Sequence, residues 1–75
     1  MTQHPRISTD PAVKLGKPCI KGTRITVELI LERLADGWSV AEFCASYPHI
    51  APGDIEAALR FAAEHVSRPI IRAAE

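Results

Sequence analysis

The chain has 75 residues, 47% of them apolar, with nine basic and nine acidic side chains and no net formal charge. This is too apolar for a disordered protein, and the length fits one small domain that buries only about 60% of its unfolded surface, so a second copy or a partner is expected to complete it. No apolar run approaches ~18 residues and no charged-then-apolar leader is present, which argues against a membrane span or a secretory signal and for a cytoplasmic protein.

The charges are unevenly spread. Residues 1–24 hold five basic side chains (Arg6, Lys14, Lys17, Lys21, Arg24) against Asp10, a net of plus four; residues 25–75 hold four basic against eight acidic, a net of minus four. The expectation is a basic arm on an acidic helical body. Residues 1–6 are expected to fray. Ile7-Ser8-Thr9 reads as extended and Asp10-Pro11 as a turn, followed by extended Cys19-Ile20 and a tight turn at Lys21-Gly22. Strands this short need helices or another chain beside them.

The stretch Gly16-Lys17-Pro18-Cys19-Ile20-Lys21-Gly22-Thr23-Arg24 combines two glycines and a proline, which set an irregular backbone path, with three cations that ride on it. Lys17, Lys21 and Arg24 are the candidate contacts to phosphate. Thr23 and Arg24 could instead serve structure, by hydrogen bonding that fixes the arm.

Thr26 reads as the N-cap of a first helix running from Val27 to about Asp36, with Val27, Ile30, Leu31, Leu34 and Trp38 as its buried stripe. Gly37 ends it. Ser39 and Glu42 form a capping box that opens a second helix, with Val40, Phe43, Cys44 and Tyr47 on one face, closed by Pro48. Pro52 suits the first position of a third helix, whose inner stripe is expected at Ile55, Leu59, Ala62 and Val66, with Ala58 and Ala63 beside it. The fold class is therefore mainly α: a basic β arm over 7–26, a three-helix body over 27–66 in helix-turn-helix order, and a tail over 67–75.

The third helix makes a poor reader of base edges. It offers Gly53, Asp54, Glu56, Ala57, Arg60 and Glu64 on its expected outer side, an acidic surface that phosphates would repel. Leu29 and Phe61 fall outside the expected stripes and suit contact with a partner protein, as do Ile70, Ile71 and Arg72 in the tail. His4, Cys19, Cys44, His49 and His65 lack the paired spacings of a zinc site, so no metal is expected. Cys19 lies near Lys17 and Lys21 but has no histidine base close in sequence, and it reads as a small buried side chain. Glu28 and Glu32 share a helix face with no element expected opposite them. No catalytic residue and no cofactor is assigned.

The run Gly16-Lys17-Pro18-Cys19-Ile20-Lys21-Gly22-Thr23-Arg24-Ile25 resembles the signature of a small bacterial family, domain of unknown function 433. The likeness extends through Leu34-Ala35-Asp36-Gly37-Trp38-Ser39, Tyr47-Pro48 and Asp54-Ile55-Glu56-Ala57-Ala58-Leu59, spanning residues 7–66. It implies a homeodomain-like helix-turn-helix fold and the role of an antitoxin in a type II toxin–antitoxin pair, encoded beside a PIN-like ribonuclease toxin that it neutralises. Ala51 stands where many members of that family place a capping Ser or Thr, which implies a looser start to the third helix.

The function expected from residues and resemblance together is a homodimeric antitoxin that binds a toxin protein and, through its arm, operator DNA. Arg72, anchored by Ile70 and Ile71, would enter the acidic pocket of the nuclease. Two other classes fit the same residues: a stand-alone helix-turn-helix transcription regulator, and a dimeric adaptor that binds no DNA.

Overall fold

The computed structural model of the chain describes residues 4–66. Three helices, α1 (Val27–Ala35), α2 (Val40–Ser46) and α3 (Pro52–Val66), form the body, and a two-stranded antiparallel sheet of β1 (Ile7–Ser8) and β2 (Cys19–Ile20) covers one side of it. The expected tail contacts, Ile70, Ile71 and Arg72, lie outside the described residues.

Local signals fix the helix ends. The Thr26 hydroxyl accepts a hydrogen bond from the Leu29 N–H at 2.9 Å, satisfying one of the donors a helix start leaves free. At the other end Gly37, at φ 100°, lets the chain reverse. Its N–H reaches the Leu34 carbonyl at 3.0 Å and the Trp38 N–H reaches Arg33 at 3.1 Å, the paired bonds of a Schellman motif. Ser39 and Glu42 cap α2 reciprocally, at 3.0 and 2.8 Å.

The strands pair Ile7 with Ile20 and Ser8 with Cys19, and Cys19 also bridges to Thr26. Between Ile20 and Thr23 the chain turns through Gly22 at φ 82°, closed by a 2.9 Å bond from the Thr23 N–H to the Ile20 carbonyl. The Thr23 hydroxyl locks this turn, donating to Ile20 and accepting from the Ile25 N–H. Of the two residues expected to fix the arm, Thr23 does so; the Arg24 side chain makes no hydrogen bond or ion pair among the described residues.

Phe43, Ile30 and Ile55 are fully buried at the junction of the three helices, and Ile7, Ile20 and Ile50 close the core from the sheet and the α2–α3 turn. The Phe43 ring meets Trp38 edge-on at 6.0 Å and stacks on Tyr47 at 4.6 Å. Val40, expected on the inner face of α2, is exposed. Helical side chains lean toward the N-terminus, so a residue at the first position of so short a helix projects past the core.

The face of α3 also differs from expectation. Leu59 and Val66 are exposed, as is Ala63, while Asp54 and Ala57 are buried and Phe61 packs against the core. On a wheel of 100° per residue the buried face is rotated by about 90° from the expected one. A long-range ion pair accounts for this. Arg6 Nη1 donates to Asp54 Oδ1 at 2.9 Å, and Asp54 Oδ2 accepts the Ala51 N–H at 2.9 Å. With Asp54 turned toward Arg6, Ala57, Ala58 and Phe61 lie on the packed face beside it, while the Ala51 N–H is local to the helix start. The same carboxylate supplies one half of a capping box, accepting the Ala51 N–H, while Ala51 has no side chain to cap the N–H groups of the first turn. Arg6, expected to fray, is held instead, since its carbonyl accepts the Lys21 N–H at 2.7 Å; residues 1–3 of that expectation lie outside the described residues.

Candidate functional site

The Lys21–Gly22 turn and the α2–α3 connection face each other across an open groove of about 1060 Å³. Much of its lining is apolar, with Ile25 and Tyr47 partly exposed and the buried Ile50 behind them, and its ionisable lining residues are Asp10, Lys21, Arg24 and His49. The rigidity of each wall follows from the bonds already described: Thr23 pins one, and the Tyr47 ring is held by its stack on Phe43.

The three cations assigned to phosphate contact divide between two places. Lys17 Nζ pairs with Glu28 Oε1 at 3.0 Å, with both side chains 58% exposed, a surface pair that contributes little to stability. Lys21 belongs to the groove. Arg24 sits on the ridge between this groove and a smaller cleft of about 480 Å³ on the other side. Neither Lys21 nor Arg24 has a side-chain partner among the described residues.

The smaller cleft contains Leu29, Glu28 and Glu32, and facing them is a 3-10 turn at Lys14–Gly16. An element does therefore stand opposite the two glutamates, contrary to the sequence reading. Lys17, next to that turn, pairs with Glu28, while Lys14 and Glu32 have no ion-pair partner among the described residues. Leu29 is half-buried there, whereas Phe61 lies on the core with its ring 4.5 Å from that of His65, so the two do not share a surface. The expectation that Phe61 faces outward is corrected by the rotation of α3.

The acidic outer side expected on α3 is also reduced. Asp54 is buried against Arg6, and Glu56 pairs with Arg60 one turn on at 3.0 Å. The Arg6 guanidinium lies over the start of α3, where a side chain added at Gly53 would meet it at 3.2 Å. Cys19 is buried, and its thiol donates to the Lys17 carbonyl at 3.4 Å. Among the described residues no three or more His, Cys, Asp or Glu side chains gather as a metal site would need, and no helix is long and apolar enough to cross a membrane.

Sequence reasoning singled out Lys21 and Arg24, for phosphate contact, and gave no such place to Tyr47 and Ile50, which line the groove with them. The available signal was the Tyr47-Pro48 step, which ends α2 and turns the chain back toward the arm.

The fold has a solved counterpart. The crystal structure of a DUF433 member protein from Anabaena variabilis ATCC 29413, at 2.00 Å resolution, superposes with a TM-score of 0.76 and 31% sequence identity over 83% of this chain. The aligned region spans 60% of the length of that protein. Among curated proteins none matches. The family described as "Protein of unknown function (DUF433)" matches residues 7–62, from β1 into α3, and the chain belongs to that family.

Proposed function

We propose that the chain is a non-catalytic antitoxin of a type II toxin–antitoxin pair, which neutralises a PIN-like ribonuclease by docking an acidic, apolar surface of it into the groove between the arm and the α2–α3 turn. The observation that supports this reading is the placement of two cations with no side-chain partner among the described residues, Lys21 and Arg24, beside a largely apolar lining in which Asp10 is the one carboxylate. Cations without an intrachain partner keep their full electrostatic interaction for an outside one, and an apolar floor beneath them adds buried area at the centre of the contact. A nuclease that holds metal ions with carboxylates presents the complementary charge. Steric cover and charge neutralisation then suffice, with no bond made or broken by this chain.

The test is binding of the purified chain to the product of the neighbouring gene. Joint reversal of the two cations, Lys21→Glu with Arg24→Glu, is expected to weaken the complex roughly 10- to 100-fold. The melting temperature should stay within about 4 °C, since unpartnered surface side chains contribute little to folding. Undiminished binding by the double variant would exclude the groove, and the absence of any complex would exclude the antitoxin reading.

A second reading, operator binding, is favoured by the balanced charge at the start of α3, where Arg6 and Arg60 offset Asp54 and Glu56. With Lys17 engaged by Glu28, two copies would bring four free cations from Lys21 and Arg24. Releasing about four counterions gives a log–log salt slope of roughly −3.6. A salt-independent gel shift, or none with upstream DNA, would remove the operator role.

A further inference from the structure

The 3-10 turn at Lys14–Gly16 has three consecutive residues with left-handed backbone: Lys14 at φ 51°, Leu15 at φ 58° and Gly16 at φ 84°. Only glycine adopts this region without steric conflict, so Lys14 and Leu15 are strained. Two hydrogen bonds hold the turn, from the Gly16 N–H to the Val13 carbonyl at 3.0 Å and from the Lys17 N–H to the Lys14 carbonyl at 3.1 Å. The result is a leucine side chain 94% exposed at the tip of a fixed turn. Strain of this kind persists where the surrounding structure enforces it, and it concentrates at binding surfaces.

Beside this knob lies the cleft that holds Leu29, Glu28 and Glu32. Lys14 and Glu32, both on its walls, have no ion-pair partner among the described residues. One patch thus carries a protruding apolar side chain, a recess with an apolar wall, an anion (Glu32) and two cations (Lys14 and Arg24) that are unpaired among the described residues. A surface with each feature and its complement matches itself under a twofold rotation, as isologous contacts require. The charges also discriminate between occupants. An anionic membrane or a strongly acidic peptide would gain from Lys14, Lys17 and Arg24 but be repelled by Glu28 and Glu32, whereas a second copy offers each charge its opposite.

From these observations we infer that this face is a homodimer interface, in which Leu15 of each copy enters the Leu29 cleft of the other and Lys14 pairs with Glu32 across the twofold axis. This face borders the groove at Arg24, which lines both, whereas Lys21 belongs to the groove alone.

The experiment is sedimentation equilibrium of the full chain and four variants. Leu15→Gly removes the knob and relieves the backbone strain. It is expected to raise the dimer dissociation constant by roughly 30-fold or more, the effect of losing a central contact residue. At dilutions where both proteins are monomeric it should melt no lower than the parent chain, which separates lost association from lost folding. Lys14→Glu and Glu32→Lys should each weaken the dimer, and the two together should restore it, since the exchanged pair is again complementary. A chain monomeric at concentrations well above the roughly micromolar range of weak dimers would overturn the inference, as would unchanged association of Leu15→Gly or a double charge variant no better than the singles. Leucine-dependent capture of the monomer by anionic vesicles would assign the patch to a membrane surface and equally overturn it.

Discussion

Phe43→Ala is expected to remove about 3–5 kcal/mol of folding free energy. The whole domain, at 75 residues, has roughly 4–11 kcal/mol to lose. The variant should therefore populate unfolded chain in the absence of denaturant, and its urea midpoint should collapse. The reason is positional. Phe43 is fully buried where all three helices meet, and its ring contacts both Trp38 and Tyr47. Deleting it leaves a cavity that rigid neighbours cannot refill, and it frees the Tyr47 ring that forms one wall of the groove. Phe43→Leu keeps most of the volume and should lose far less, about 1–1.5 kcal/mol. Near-native stability of Phe43→Ala in urea denaturation would mean that the body is held together elsewhere.

The second large effect is expected at Asp54. Asp54→Ala should cost about 2–3 kcal/mol, combining a lost helix-start acceptor with a lost hydrogen bond to a charged donor. The carboxylate serves two donors, the Ala51 N–H and the Arg6 guanidinium, and its side chain is only 13% exposed. Arg6 is different: 52% of its side chain is exposed, so water compensates much of its loss. Arg6→Ala should accordingly cost about 1 kcal/mol, and the double variant no more than Asp54→Ala alone. Equal losses from the two single variants, measured by urea denaturation, would show that the ion pair alone matters and that the backbone bond at Ala51 contributes nothing.

These two residues also mark the boundary of what the sequence could reveal. Thr26, Gly37, Ser39 with Glu42, and Pro52 act within three or four residues of themselves, and each helix starts or stops where they stand. The buried face of α3 depends on a partner 48 residues away, and no periodicity carries that information. Leu59 is a larger apolar residue than Ala57 or Ala58, so a pattern based on hydrophobicity turns the helix toward it. The small residues win because Asp54 must face Arg6, and alanines allow α3 to approach its neighbours closely.

The site was legible to a similar depth. Lys21 and Arg24 follow from composition alone, and the turn that carries them follows from Gly22. The division of Lys17 from the other two was hidden, because its partner Glu28 lies on the next element. Least legible was Leu15. Its neighbours give no sign of a left-handed turn, since lysine and leucine avoid that region in general. The structure alone places it at the tip of a strained loop, between two lysines and above a cleft it does not fill.

The burial of Cys19 has a chemical consequence. Its sulfur sits under the junction of β2 with the start of α1, where neither an oxidant nor an alkylating reagent can approach along the line that thiolate attack requires. Cys44, half-buried on α2, is left as the accessible thiol under native conditions. Any modification found at Cys19 therefore dates from a moment when the sheet had lifted from the helices, and its rate times that opening.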